Sequence, residues 1–395
     1  MNRRRLAHLF AVATAVAVGC AAGIGGAVGM SGCAGATARQ LGPREEHVRP
    51  AGVVQIRWRT QLHEHGLFEP TPEECATGVL AGGRLIIGSR ANSIVGVDVN
   101  LGRVDWATAA SGGIDSEARF DSQHNQVYVG ADDGSFYAID PSSGAIRWTY
   151  RAKGAIERGA AFDEGAVYVA TAADRVFSLD AATGKWRWQY ERETPDGFTI
   201  HGYAGPRLQG KTILSGFADG YLVSLSAEAG EVIWARSLAA VSDQFVDVDS
   251  TPAIVGDVAY VSSYSGGLYA LSPKDGGVRW RLGIEGAGEV KVADQRLYFA
   301  APREGVHAVD LAGHVLWRQA LTAAGDLTVP VTVGPYLIFS GSRAGLFIVE
   351  RESGKLLEIF NPGSGICAAP MLEADKGRLY VLSNGGALYA LDVVN

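Results

Sequence analysis

The chain repeats one phrase eight times, and its clearest copy runs from Val127 to Trp148 as VYVGADDGSFYAIDPSSGAIRW. Two apolar runs flank a small polar turn, and Asp-x-x-[Ser/Thr]-Gly and a Trp follow. The runs are rich in Val, Tyr, Leu, Phe and Ile, which favour half-buried strands. Their Asp-Gly and Gly-Gly turns favour hairpins because these residues tolerate positive φ. The eight apolar cores span residues 84–98, 127–140, 167–180, 212–226, 258–272, 296–310, 336–350 and 378–392.

Short strands repeated every 40–50 residues or so are typical of a β-propeller. We therefore expect an all-β fold with eight blades of four antiparallel strands. The eighth copy ends at Asn395 without a Trp strand, whereas an extra Trp strand stands at the front, at residues 53–58. This pattern predicts that the N-terminal strand completes the last blade, which removes a free sheet edge.

A tryptophan follows the second turn in six copies. These residues are Trp106, Trp148, Trp188, Trp234, Trp280 and Trp317. A large ring at a fixed place in each blade can wedge between neighbouring sheets while its N–H bonds to backbone. We interpret these tryptophans as structural. The seventh copy carries Leu357 where the pattern expects Trp, which predicts one atypical blade.

The first 32 residues differ from the rest and indicate a bacterial secretory signal: three arginines precede a long stretch rich in Ala, Val and Gly. Two cysteines fit a lipid-attachment box. Ser-Gly before Cys33 favours that residue, and Cys20 is the alternative because it gives a more ordinary signal length. An uncleaved N-terminal membrane helix is the other interpretation. Residues 33–52 are polar and predict a flexible tether, followed by the propeller at 53–395.

Two further cysteines, Cys75 and Cys367, precede the first strand of units one and eight at matching places. These units are neighbours once the ring closes, so a disulfide formed in an oxidising periplasm would fasten the closure. Two free thiols are the alternative, since the strand spacing near the axis could exceed the ~7 Å Cα limit for a disulfide.

The sequence offers little for catalysis. Its formal charge of −7 argues against nucleic acid as a main partner. His63 and His65 form the one close histidine pair, and we expect a solvated loop there rather than a metal site. P-loop, Gly-x-Ser-x-Gly and His-Glu-x-x-His motifs are absent. We predict no catalytic residue, no metal and no cofactor.

The repeat and its tryptophan, over residues 53–395, resemble the quinoprotein propeller repeat. That resemblance implies a PQQ-dependent dehydrogenase as one candidate. Those enzymes usually carry adjacent cysteines and calcium ligands, and this chain has no adjacent cysteines. The length, lipid-attachment box and eight repeats more closely resemble the BamB family, lipoproteins of the machine that assembles outer-membrane β-barrels.

Two segments carry the resemblance to the BamB family. Residues 242–252, SDQFVDVDSTP, are similar to the family's Ser-Asp-Val-Asp-Thr-Thr-Pro, with extra residues after Ser-Asp. Residues 198–206, FTIHGYAGP, resemble the family loop Leu-Ser-Leu-Arg-Gly-Glu-Ser-Ala-Pro, whose leucines and arginine contact BamA, the barrel-forming partner. The resemblance implies that Phe198 and Ile200 are apolar contacts and that His201 replaces the arginine.

Aligning the prolines that end these segments sets His201 against Asp247 and Tyr203 against Asp249. We therefore expect the two segments side by side on one rim, where apolar and acidic groups form a docking patch. Hydrogen bonding within a turn or the channel is the alternative for Asp247 and Asp249. Packing into a blade is the alternative for Phe198.

The resemblance implies a non-catalytic scaffold that binds BamA and the other Bam subunits, with nascent outer-membrane proteins as further candidate partners. Neither Cys20 nor Cys33 is followed at its second position by Asp, which resembles lipoprotein signals for the outer membrane. The expected location is the periplasmic side of the cell outer membrane, held by a lipid anchor. The alternatives are a quinone-dependent dehydrogenase and a surface lipoprotein that binds another protein or a glycan.

Overall fold

The computed structural model describes residues 52–63, 73–193, 203–239, 245–321 and 324–394. They form eight four-stranded antiparallel sheets, which are the blades of a propeller, as predicted. Among these residues there is no helix long and apolar enough to cross a membrane.

The blades follow chain order, and each uses four successive strands except the last. Blade 1 has β2 (Val79–Ala81), β3 (Arg84–Ser89), β4 (Ser93–Asp98) and β5 (Val104–Ala109); blade 2 has β6 (Arg119–Asp121), β7 (Gln126–Gly130), β8 (Ser135–Ile139) and β9 (Ile146–Arg151). Blade 3 has β10 (Ala161–Phe162), β11 (Ala166–Thr171), β12 (Arg175–Asp180) and β13 (Trp186–Glu191); blade 4 has β14 (Arg207–Gln209), β15 (Thr212–Gly216), β16 (Tyr221–Ser226) and β17 (Val232–Ser237). Blade 5 has β18 (Ala253–Val255), β19 (Val258–Ser263), β20 (Gly267–Leu271) and β21 (Val278–Leu282); blade 6 has β22 (Lys291–Ala293), β23 (Arg296–Ala301), β24 (Gly305–Asp310) and β25 (Val315–Gln319). Blade 7 has β26 (Val331–Val333), β27 (Tyr336–Gly341), β28 (Gly345–Glu350) and β29 (Leu356–Phe360); blade 8 has β30 (Met371–Glu373), β31 (Arg378–Leu382), β32 (Ala387–Val393) and β1 (Val54–Gln61).

Burial changes from the axis to the perimeter of each blade. The short first strands lie nearest the axis, where a parallel bridge between Thr77 and Glu117 links blades 1 and 2. The second and third strands are buried on both faces; every residue of β7 and β8 is buried. The fourth strands are largely exposed. The core therefore lies between the faces of adjacent blades, as expected for near-continuous runs of Val, Ile, Leu and aromatic residues.

Tryptophan rings dock seven of the eight fourth strands onto the next blade. Their Nε1 atoms donate to a backbone carbonyl of that blade at 3.0–3.2 Å. The seven pairs are Trp58 to Val99, Trp106 to Pro141, Trp148 to Ala181, Trp188 to Ala227, Trp234 to Pro273, Trp280 to Leu311 and Trp317 to Arg351. The structural role predicted for the six repeat tryptophans is confirmed.

The docked tryptophan ring packs against the glycine that ends the turn of the next blade, so this position requires glycine. At Gly184, φ is 68°, and an added Cβ would come within 2.5 Å of the Trp148 ring. A side chain here would meet both a left-handed backbone and an aromatic face. The turn and the tryptophan thus form one interlock between blades, although they lie in different repeats.

The N-terminal strand β1 completes blade 8, as predicted. It pairs antiparallel with β32, from Val54 opposite Val393 to Gln61 opposite Ala387. First and last parts of the propeller are therefore joined by a full strand ladder at the perimeter, and the ring has no free edge at its start or end.

The atypical blade is blade 7, but the residue in the tryptophan position is Glu358, so the assignment of Leu357 is wrong. Glu358 lies opposite Ile348, as Trp106 lies opposite Gly96. Every fourth strand has a β-bulge just before this position, so blade 7 does not differ in register. Glu358 also lies four residues after Gly354, as Trp148 lies four residues after Gly144. The buried Glu358 carboxylate accepts a hydrogen bond from Val53 N at 2.7 Å, so it links blade 7 to blade 8.

Cys75 and Cys367 are joined in a disulfide with a Cα–Cα distance of 4.7 Å. Of the two alternatives left open by the sequence, the structure contains the bonded one. Each cysteine lies four residues before the first strand of its blade. The seam between blades 8 and 1 is therefore fastened near the axis by this bond and at the perimeter by β1.

Replacing Glu358 by Ala should destabilise the propeller by about 1–3 kcal/mol, because it leaves the Val53 N–H without its acceptor. Glu358→Gln keeps an oxygen acceptor and should cost less. Urea unfolding of both variants measures the difference. Equal stability of Glu358→Ala and the wild type would show that this bond does not hold the seam.

Removing the disulfide with Cys75→Ser and Cys367→Ser together should lower the free energy of unfolding by about 2–4 kcal/mol, since the cross-link restricts the unfolded chain. Dithiothreitol should lower the urea midpoint of the wild type to that of the double variant. It should leave the midpoint of the double variant unchanged. A reductant effect of similar size on both proteins would contradict the assignment.

Candidate interaction rim and channel hub

The two segments singled out in the sequence lead into the first strands of blades 4 and 5. We call residues 203–206 and 245–252 the rim segments. Pro206 directly precedes β14 and Pro252 directly precedes β18, so Tyr203 and Asp249 occupy equivalent positions, as the alignment predicted. Gly205 N donates to Thr251 Oγ1 at 3.2 Å. The described parts of the two segments therefore lie side by side.

Three predicted contact residues, Phe198, Ile200 and His201, lie outside the described residues, as do Cys20 and Cys33. The two acids of the prediction are described, and both lie inward. Asp247 is fully buried, and its carbonyl accepts a hydrogen bond from Tyr264 N at 3.0 Å. Asp249 is partly buried, and its Oδ1 atom has no hydrogen-bond partner among the described residues. The Asp247 side chain is therefore not exposed, and that of Asp249 is exposed only in part.

Charged side chains from four blades meet in the channel near these segments. We call Glu117, Arg158, Asp249 and Glu289 the hub cluster. The Arg158 guanidinium donates from Nε to the carbonyl of Tyr203 at 3.1 Å. Burial alone would lower the pKa of Arg158, but the facing carboxylates of Asp249, Glu289 and Glu117 raise it. Arg158 thus lies near three carboxylates from blades 2, 5 and 6, of which Glu117 is ion-paired with a second arginine, Arg119.

Desolvation is the largest influence on the pKa of two hub carboxylates, Asp249 and Glu289. It raises the pKa of Asp249 to about 6, against the opposing attraction of Arg158. It also raises the pKa of Glu289, where repulsion from Glu117 adds to the effect. A carboxyl group that is hard to ionise keeps its proton to higher pH in the folded state. The hub therefore changes charge close to neutral pH.

An aromatic pair lies at the exposed end of the second rim segment. Phe245 is 39% exposed, and its ring lies 6.0 Å from that of Tyr264. Its φ of 54° is uncommon for a bulky residue. Such strain often occurs at functional sites. Sequence reasoning did not select Phe245, although it lies among the extra residues that distinguish this segment from the family motif.

His63 is not in a solvated loop, so that prediction is wrong for this residue; His65 lies outside the described residues. The His63 side chain is 13% exposed, with Nε2 2.9 Å from Glu74 Oε1 and Nδ1 3.2 Å from Ser89 Oγ. Glu74 and Ser89 are both buried. A serine, a histidine and a carboxylate in contact are also the side chains of a catalytic triad. The Ser89 hydroxyl is buried, however, so it is not accessible to a substrate. The group instead fastens the end of β1 to blade 1.

The hub carboxylates predict a specific pH dependence. Because the pKa of Asp249 and that of Glu289 are raised on folding, their contribution to stability is complete below about pH 4. It is lost as the pH rises through about 6 for Asp249 and about 7 for Glu289. The variant Asp249→Asn with Glu289→Gln should therefore lose less stability than the wild type between these limits. Urea unfolding across the pH range measures this.

Asp257→Asn is the matched control for that experiment. Asp257 is exposed, and its pKa is lowered mainly by a hydrogen bond from Arg279. Its contribution is lost only below the ordinary pKa of an aspartate, so its pH profile should parallel the wild type above about pH 4. A hub variant that also paralleled the wild type would show that these carboxyls do not govern the pH dependence.

Comparison with known proteins places this geometry in a family. A family model described as outer membrane protein assembly factor BamB matches residues 115–313 and 302–395. The BamB of Legionella pneumophila is 32% identical over 196 residues, 48% of this chain and 50% of that protein, so the chain spans about half the length of this relative. The BamB of Burkholderia pseudomallei is 25% identical over 361 residues, which cover 89% of this chain and 91% of that protein.

Solved structures agree on the fold. The crystal structure of BamB from Moraxella catarrhalis has a TM-score of 0.74 at 23% identity and covers 86% of this chain and 100% of that one. The quinohemoprotein alcohol dehydrogenase of Comamonas testosteroni has a TM-score of 0.66 at 12% identity, with 86% and 76% covered. At these identities the likeness shows the propeller fold alone. Since the family model matches most of its length, the chain belongs to the family of the outer membrane protein assembly factor BamB.

Proposed function

We propose that the chain is a non-catalytic scaffold lipoprotein of the β-barrel assembly machinery, which binds BamA and assists the assembly and insertion of β-barrel proteins into the outer membrane. The family match carries this proposal, because it includes both rim segments and the name of its members is outer membrane protein assembly factor. The other Bam subunits and nascent barrel proteins are further partners under this proposal.

The binding surface that we propose is the rim formed by residues 198–206 and 243–252. Phe198 and Ile200 supply apolar contacts to BamA, with His201 beside them. The exposed ring of Phe245 extends this apolar surface, since it lies on the neighbouring rim segment. Apolar and aromatic anchors that are held rigidly are the usual sources of binding energy at protein interfaces.

We propose that Asp247 and Asp249 support the rim segments and do not contact BamA directly. The Asp247 side chain is buried, so it supports the segment that carries Phe245 rather than meeting a partner directly. Asp249 faces Arg158 in the hub. Both acids therefore contribute to binding through the shape of the rim segments.

The lipid anchor at Cys33, or at Cys20, would hold the propeller at the periplasmic side of the outer membrane through residues 33–52. A protein fastened in this way meets BamA in the same membrane plane, which raises the effective concentration of each partner for the other.

A quinone-dependent dehydrogenase is the second candidate, favoured by the shared fold with the quinohemoprotein alcohol dehydrogenase. One fold supports many functions, and a likeness at 12% identity carries no function by itself. The family match is specific to assembly factors, so we favour binding over catalysis.

Replacing Phe198 and Ile200 together by Asp should abolish co-purification of BamA from detergent-solubilised membranes, since it places charge in an apolar contact. The matched control is Val232→Asp with Ile233→Asp on β17, which changes two exposed apolar residues at the perimeter. Circular dichroism and urea unfolding establish that both variants are folded. Undiminished BamA recovery with the rim variant would refute this surface.

A further inference from the structure

Arg158 lies outside both rim segments, yet it bonds to one of them and lies near an acid of the other. It lies just before β10 in blade 3, whereas the rim segments precede the first strands of blades 4 and 5. Its Nε donates to the carbonyl of Tyr203 in the first segment, at 3.1 Å. Its positive charge also acts on the carboxylate of Asp249 in the second segment, whose pKa it lowers without an ion-pair contact. One side chain from outside the rim thus acts on the bases of both segments.

Neighbouring contacts make this arrangement tight. The Tyr203 hydroxyl accepts a hydrogen bond from Glu157 N at 2.7 Å, so the residue beside Arg158 holds the same tyrosine. A Cβ added at Gly205 would lie 2.8 Å from Thr251 Oγ1 and 3.4 Å from Arg158 Cβ. Backbone and side chains of three blades therefore approach closely at this point, and a displacement of one segment would be felt by the other.

The charges of the hub make a guanidinium the suitable group here. Glu117, Asp249 and Glu289 all face Arg158, so carboxylates outnumber the central cation. A planar guanidinium has several N–H donors in fixed directions and stays charged when buried, and an ammonium lacks that fork. Loss of the cation would leave Asp249 partly buried beside Asp247 without its facing cation.

We propose that Arg158 is a positioning residue for the rim: it fixes the bases of residues 203–206 and 245–252 relative to each other, so that the contact residues of both segments are presented as one surface. The clamp is a property of this chain alone. Its consequence for partner binding rests on the proposed function.

Hydrogen–deuterium exchange of the full chain tests the clamp. In Arg158→Gln, the amides of 203–205 and 246–251 should lose protection by about tenfold or more, as expected when a charge-assisted hydrogen bond is lost. Arg158→Lys keeps the charge without the fork and should show a smaller loss. If Arg158→Gln does not fold, Arg158→Gln combined with Asp249→Asn removes the unpaired carboxylate and should show the same local loss.

An arginine–aspartate pair outside the hub cluster supplies the matched control. Arg90 Nη1 lies 3.4 Å from Asp115 Oδ2, and Asp115 occupies in blade 2 the place that Asp249 occupies in blade 5. Desolvation raises the pKa of Asp115 to about 6 as well. Arg90→Gln should leave protection in both rim segments unchanged. If it lowered that protection as much as Arg158→Gln, the effect would be general loosening of the hub, and the proposal would be overturned.

Affinity for purified soluble domains of BamA, measured by calorimetry, is the second measurement. Arg158→Gln should raise the Kd by about tenfold, with Arg158→Lys between it and the wild type. If the wild type itself does not bind, the proposed function fails, and the exchange experiment still decides the clamp. Unchanged protection of both rim segments in a folded Arg158→Gln overturns the proposal. Lost protection with an unchanged Kd overturns its role in binding.

Discussion

The whole ring depends on one contact, the docking of a tryptophan from each blade onto the turn of the next. A four-stranded sheet with two apolar faces cannot bury both of them alone, and each blade covers one face of its neighbour. The indole Nε1 fixes the spacing by bonding a carbonyl, and the turn glycine admits the ring face to face with backbone. The same residues thus serve burial, register and rotation between blades. Where this contact is missing, between blades 7 and 8, Glu358 and the start of β1 replace it.

Much of this architecture could be predicted from the chain, because the repeat carries a strand pattern and a closing strand in plain sequence order. The two wrong predictions have different causes. The tryptophan position of blade 7 is readable from the sequence: Glu358 lies four residues after Gly354, as Trp148 lies four residues after Gly144, so the expectation of Leu357 is one residue short. The partners of His63 lie far along the chain from it, since Glu74 precedes β2 and Ser89 ends β3, so no local pattern indicates them.

The candidate site shows a similar division. The alignment of Pro206 with Pro252 correctly set the two segments at one level, since repeats are related by their own periodicity. It gave no depth: Asp247 is fully buried, and Asp249 is partly buried near Arg158. Arg158 carries no motif and precedes a two-residue strand, so its role becomes visible only when three blades are assembled. A buried cation surrounded by carboxylates is a weak source of stability but a strong source of specificity in some proteins, which suits a hub that sets the positions of loops.

The bulge in each fourth strand also limits which chains can pair with the outer edges of the blades. Eight strands present unpaired N–H and C=O groups to solvent, and a long regular edge of that kind would template the addition of any extended chain. The bulge confines the uninterrupted ladder to short stretches such as Trp148–Arg151, and in blades 2, 3, 5 and 8 the displaced residue is an arginine. Under the proposed function, an unfolded barrel segment would find only these short stretches of edge on which to add a strand.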